Sequence, residues 1–210
     1  MIKLNSAKAL MIITAILGWI AIIAQFYLII VNRVTSIPET MIRFFSFFTI
    51  LSNITVAVSL SVQIISPDSV AGKFWAAAKT QAAVTVYILV VGIVYNAVLR
   101  FLWAPTGLQR YTDELLHTVI PLLFVLCWIL YAHKANLTWR NAGSWLWFPF
   151  IYLMYTMIRG ALTNYYPYPF LDAYNNGYTK VLVSSAVILG LFLLVSFILI
   201  AMAKKIYRKK

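Results

Sequence analysis

Apolar runs long enough to cross a lipid bilayer recur six times in this chain, and they leave it few ways to fold. About 20 apolar residues in a helix span a ~30 Å hydrocarbon core. Only helices and closed barrels satisfy their own backbone hydrogen bonds there. The runs fall at about residues 9–31, 44–65, 81–102, 114–132, 144–161 and 180–203. The chain is 63% hydrophobic and 10% charged, with mean hydropathy +0.87, whereas soluble domains average roughly a quarter charged. The expectation is an all-α polytopic membrane protein, a single six-helix transmembrane domain made compact by short connections rich in Pro, Asn, Gly and Thr. No internal repeat supports an inverted-repeat transporter.

The first run follows Lys3 and Lys8 but is too long for a signal-peptide core, and no small-residue cleavage site follows it. It reads as a retained span. The single Cys127 excludes an internal disulfide and reads as a small packing residue.

Lys and Arg counts set the expected orientation. With the N-terminus inside, eleven basic residues fall on the inner side and six (Arg33, Arg43, Arg100, Arg110, Arg159, Lys180) on the outer. Four of the five acids (Glu39, Asp113, Glu114, Asp172) fall outside as well. Both termini are expected in the cytoplasm. The net charge of +12 is spread over helix ends, which does not describe a nucleic-acid face. Lys204, Lys205, Arg208, Lys209 and Lys210 read as a tail touching anionic lipid. Trp139, Trp145 and Trp147 read as an inner aromatic belt.

Polar residues inside hydrocarbon are expensive and face bundle interiors or cavities. Span two carries Ser46, Thr49 and Asn53 on one stripe. Span three ends with Tyr95, Asn96 and Arg100, and span five with Tyr152, Tyr155, Thr156 and Arg159. Span four opens with Asp113, Glu114 and His117, which share a helical face. Pro121 removes the N–H that the carbonyl of His117 would otherwise meet, so a bend is expected there. At a rise of about 1.5 Å per residue these groups fall near one level in the outer third of the membrane. A polar chamber opening outward is the expected result, with helix–helix hydrogen bonding as the plainer account of each Ser, Thr or Asn taken singly.

A haem would need a second histidine at the same depth, and His133 is about 24 Å along the helix from His117. Glu114-x-x-His117 occurs once and has no other histidine to complete a metal site. No cofactor is expected. Nucleophilic catalysis fits better, because a hydroxyl needs a base and imidazole is the side chain suited to that role near neutral pH. Thr49 is one of several hydroxyls that could meet His117. Asp113 or Glu114 could orient the ring. Asn53, Asn96, Arg100 or Arg159 could supply donors to an oxyanion or a substrate carboxylate. The loop Asn164-Tyr165-Tyr166-Pro167-Tyr168-Pro169-Phe170-Leu171-Asp172 reads as an interfacial rim or lid, with an ordinary aromatic belt as the plainer account.

Two segments, Phe47-Phe48-Thr49-Ile50-Leu51-Ser52-Asn53 and Leu116-His117-Thr118-Val119-Ile120-Pro121, sit on spans two and four. They resemble the androgen-induced and androgen-dependent membrane hydrolase family. The whole chain also resembles a bacterial six-span group sometimes called the Pr-six-Pr family. That likeness rests on Tyr95-Asn96-Ala97-Val98-Leu99-Arg100, Asp113-Glu114-Leu115-Leu116-His117 and Tyr166-Pro167-Tyr168-Pro169-Phe170-Leu171-Asp172. The first resemblance implies hydrolysis of fatty acid esters of hydroxy fatty acids by an intramembrane threonine with a histidine partner, here Thr49 and His117. The second implies a bacterial inner membrane. The expected function is therefore an intramembrane lipid-ester hydrolase with Thr49 and His117 catalytic. Asn53, Asn96, Arg100, Glu114, Tyr155 and Arg159 would contact substrate, and Asp113 and Ser46 would give support. The alternatives are a non-catalytic lipid or small-anion binder or transporter using the same chamber, and a purely structural partner of another membrane protein.

Overall fold

The computed structural model describes residues 2–208, with side chains for residues 6–206. The chain is helical, and no strand occurs among the described residues. Its elements are α1 (Ile2–Val31), α2 (Ile37–Phe45), α3 (Phe48–Ile65), α4 (Val70–Ala76), α5 (Ala78–Ala97) and α6 (Gly107–Glu114). A π-helical turn (Leu115–Val119) then leads into α7 (Ile120–Tyr131), followed by α8 (Arg140–Trp145), α9 (Trp147–Thr163) and α10 (Ala173–Arg208). Single 3₁₀ turns at Leu99–Phe101 and Pro169–Leu171 complete the list.

Five segments are long and apolar enough to cross a membrane: Ser6–Val31, Phe48–Ile65, Ala78–Phe101, Gly107–Tyr131 and Ala173–Ile206. The sixth run is broken. Leu146 separates α8 from α9, and α9 alone has 17 residues, about 25 Å at helical rise. Pro149 causes the break, because it cannot donate to the carbonyl of Trp145. The hydroxyl of Tyr87, on α5, donates to that carbonyl instead at 2.8 Å. Trp145 is accordingly buried, not in an aromatic belt, while Trp139 and Trp147 are exposed. The second run also departs from expectation. It breaks at Ser46 and at Phe47, which is extended (φ −84°, ψ 123°), so Ser46 belongs to the end of α2 and shares no helical stripe with Thr49 and Asn53.

The helices α1, α3, α5 and α7 pack as neighbours, and α10 closes on α5. Lipid offers apolar helices no hydrophobic reason to associate, so close packing and buried hydrogen bonds must hold them. Small residues permit that closeness. A Cβ on Gly18 would lie 3.3 Å from the Cβ of Ala57, and one on Gly92 would lie 3.1 Å from the carbonyl oxygen of His117. Leu60, Ile88, Phe124, Trp128 and Ile200 fill the interior, while Ile23, Leu182 and Val187 project outward, as a lipid-facing surface requires. Helix α9 packs on α8 and α10, and the space between α9, α5 and α10 stays open as a cavity.

Candidate functional site

The π turn before Pro121 builds one wall of the site. The N–H of Ile120 donates to the carbonyl of Leu115, five residues back. This takes the donor that Leu116 would have used, and Pro121 removes the next one. Two carbonyls are left without helical partners, and two amides on neighbouring helices take them. Asn53 Nδ2 donates to Leu116 at 3.1 Å and Asn96 Nδ2 donates to His117 at 3.3 Å. The expected bend is thus a wound-out turn, bonded from α3 and α5.

Of the three residues expected on one face, Asp113 and His117 stay in contact and Glu114 turns away. His117 Nδ1 lies 2.9 Å from the carbonyl oxygen of Asp113 and 3.4 Å from its carboxylate. A carbonyl only accepts, so Nδ1 carries the proton and Nε2 carries the lone pair. The hydroxyl of Tyr95 donates to the other carboxylate oxygen of Asp113. The ring of Tyr95 stacks on the imidazole with centroids 3.9 Å apart. Glu114 turns away to Arg100, whose Nη1 and Nη2 meet its two oxygens at 2.5 and 2.9 Å. The same guanidinium donates to Asn96 Oδ1 at 2.9 Å and to Thr118 Oγ1 at 3.1 Å. Arg100 and Glu114 therefore neutralise each other beside the site.

Thr49 stands on the opposite wall, in the first turn of α3. Its carbonyl accepts from Asn53 Nδ2 at 2.9 Å, so Asn53 links the turn that bears Thr49 to the turn that bears His117. Tyr168 reaches from the loop between α9 and α10 onto this helix start. Its Oη lies 3.1 Å from the backbone N of Thr49 and 3.2 Å from Thr49 Oγ1. The Tyr168 ring stacks on Phe170 with centroids 5.2 Å apart, and Phe47 meets it edge-on. Burial pushes the Tyr168 phenol above its ordinary range, against the opposing hydrogen bonds from Thr49, so it stays protonated near neutral pH. The loop itself is seated by Tyr166, whose ring covers Gly160 closely enough to leave no room for a Cβ.

Two cavities meet at Thr49. The larger, about 670 Å³, is apolar and runs from Thr49 and Tyr168 past Phe48, Leu153, Ala186 and Phe192. Lining residues such as Trp147, Phe150 and Leu182 are also exposed on the outer surface of the bundle, so this cavity opens sideways. The smaller, about 350 Å³, is lined by Thr49, His117, Asp113, Tyr95 and Gln109. Both volumes suit small-molecule occupancy, for which ~300–1,000 Å³ is usual. Thr49 and His117 share the smaller cavity without hydrogen-bonding each other.

The remaining expected site residues lie apart, in two sets of contacts. Ser46 Oγ bonds the hydroxyl of Tyr155 at 2.8 Å, and Arg159 Nη2 donates to Glu39 at 2.6 Å. Glu39 also accepts from Arg43 Nε at 2.8 Å, and both guanidinium groups lie over the ring of Tyr165. None of Ser46, Tyr155 and Arg159 lines either cavity. Among the described residues no group of three or more His, Cys, Asp or Glu side chains could hold a metal.

Sequence reasoning did not place Tyr168 or Tyr95 among the site residues. Both lay in quoted motifs, but their partners are 119 and 18 residues away, beyond the reach of helical spacing. Compared with protein-family models, curated proteins and solved structures, the chain matches none of them.

Proposed function

We propose that this chain is an intramembrane hydrolase of lipid esters, with Thr49 as nucleophile and His117 as general base and then acid. One observation carries the reading: a buried hydroxyl and an imidazole with its lone pair on Nε2 open into the same cavity. The hydrogen bond at Nδ1 fixes the tautomer a base needs. The Asp113 carboxylate 3.4 Å away favours the imidazolium once a proton arrives.

The two cavities suggest how an ester would lie. His117 lines only the smaller one, and the leaving alkoxide must reach His117 to be protonated. The alcohol part therefore belongs in the smaller cavity and the acyl chain in the larger, apolar one, which a lipid would reach sideways from the membrane. Thr49 Oγ bonds the carbonyl carbon while its proton passes to Nε2. The tetrahedral adduct then collapses, the alkoxide takes that proton and leaves, and water repeats the sequence on the acyl-threonine. The proposed substrates are fatty acid esters of hydroxy fatty acids or related acyl esters.

The proposal keeps six crossings, with α8 and α9 as a broken sixth, both termini cytoplasmic, and the site toward the outer leaflet of the cytoplasmic membrane. The proposed contact of anionic lipid with the tail involves Lys204, which lies 4.5 Å over the ring of Trp139. Lys209, Lys210 and the side chain of Arg208 lie outside the described residues. The reading as an anion binder is weakened because Arg100 is already paired with Glu114.

The test is ester turnover by purified protein in detergent, comparing the parent with Thr49→Ala and His117→Ala, together with labelling by a fluorophosphonate probe. Turnover and labelling should both disappear in Thr49→Ala. Labelling of Thr49→Ala as strong as that of the parent would sink the proposal.

A further inference from the structure

An oxyanion formed at Thr49 needs a hydrogen-bond donor, and the donors nominated from sequence are either bonded to protein groups or away from both cavities. Both N–H bonds of Asn53 are spent, on the carbonyls of Thr49 and Leu116. Asn96 Nδ2 serves the carbonyls of Gly92 and His117. Arg100 serves Glu114, Asn96 and Thr118. Arg159 lines neither cavity. What remains beside Thr49 Oγ1 is the hydroxyl of Tyr168, at 3.2 Å.

We propose that Tyr168 is a catalytic residue, whose phenolic O–H receives the oxyanion when Thr49 attacks an ester. The proposal rests on Thr49 being the nucleophile. A backbone N–H can only donate, so the bond from Thr49 N makes the phenol oxygen an acceptor and leaves its own proton to give. With the phenol as donor in its 3.2 Å contact with Thr49 Oγ1, the threonine's own proton is free to turn toward the cavity that holds His117. During attack the Oγ–C bond forms, the carbonyl π pair moves onto oxygen, and the threonine proton goes to His117. Thr49 Oγ is then an ether-type oxygen, a far weaker acceptor than the charged oxygen beside it, and the phenol proton turns to the oxyanion. Collapse restores the carbonyl, and the alkoxide leaves with the proton from His117. Tyr168 keeps its proton throughout and acts as a donor only.

Its setting suits that role. Tyr168 lines both cavities at their junction, where the carbonyl of an ester spanning the two would lie. Stacking on Phe170 and the edge contact from Phe47 hold the ring, and Pro167 and Pro169 stiffen the backbone on either side. A donor fixed in advance is worth far more to an oxyanion than one that must be recruited.

Tyr168→Phe is the discriminating variant, because it keeps the ring contacts and removes only the hydroxyl. The expected result is a kcat lower by about 10²–10³, with KM and the affinity for a non-hydrolysable ether analogue within about threefold of the parent. Fluorophosphonate labelling of Thr49 should slow by a similar factor, since the phosphoryl oxygen takes the oxyanion's place. Parental kcat in Tyr168→Phe beside an inactive Thr49→Ala would overturn this inference and leave the nucleophile standing. Loss of ether-analogue binding in step with kcat would also overturn it, marking Tyr168 as structural. An active Thr49→Ala would remove the underlying reading instead.

Discussion

The ring of Tyr95 lies on the imidazole of His117, centroids 3.9 Å apart and planes 12° from parallel, while its hydroxyl bonds Asp113. One side chain thus holds both the imidazole and the carboxylate beside it, and α5 becomes the helix that sets the geometry of α6 and α7. The same helix supplies Asn96 to the carbonyl of His117 and Tyr87 to that of Trp145. Both proline breaks in the bundle are therefore bonded from α5.

This relationship separates two roles experimentally. Tyr95→Phe keeps the stack and frees one carboxylate oxygen, so kcat should fall by no more than about tenfold, the equivalent of one hydrogen bond. Asp113→Asn removes the charge facing a developing imidazolium, and kcat should fall by about 10²-fold or more. Steady-state kinetics on one ester, with ether-analogue binding as control, checks the order. Equal activity in the parent and Asp113→Asn would exclude electrostatic support of His117.

Gly92 controls the spacing between α5 and α7. A Cβ there meets the carbonyl oxygen of His117 at 3.1 Å and the Cβ of Pro121 at 3.3 Å. Gly92→Val should push α7 outward, stretch the bond from Asn96 and displace the imidazole. The expected cost is about 1–3 kcal/mol of stability, together with a loss of turnover, while Gly92→Ala shows less of both. Melting temperature in detergent and kcat are the measurements, and they should fall together.

Glu39 gives its network with Arg43 and Arg159 a pH signature. The hydrogen bond from Arg43, joined by Arg159 and opposed by burial, holds its carboxyl below the ordinary value of 4.5. A depressed folded-state value contributes stability that is present above the unfolded value and lost as pH falls through the folded one. Glu39→Gln should lower the melting temperature near pH 7, by a stability on the order of 2 kcal/mol for a hydrogen bond to a charged group. The gap between variant and parent should shrink as pH falls below about 4.5. A gap that widened in acid would contradict the assignment.

The membrane class and the positions of the apolar runs followed from sequence alone, because length and hydropathy suffice to recognise a helix that must satisfy its own backbone in lipid. The same kind of local reading located Thr49 and His117 on different spans and saw that Pro121 would free a carbonyl. It did not see how the freed groups would be used. The break at Ser46 and Phe47, the π turn at Leu115–Val119 and the division of the sixth run at Leu146 are compromises between a local chain and the side chains of other helices. The pairing of Arg100 with Glu114, the stacking of Tyr95 on His117, and the placement of Tyr168 on Thr49 join residues on different segments of the chain, whereas the contact of His117 with Asp113 follows from helical spacing. Sequence determined which groups the membrane would force to find partners, since an unbonded polar group in hydrocarbon costs several kcal/mol. The tertiary structure decided which partners they found, because that choice depends on which helices touch and at what height.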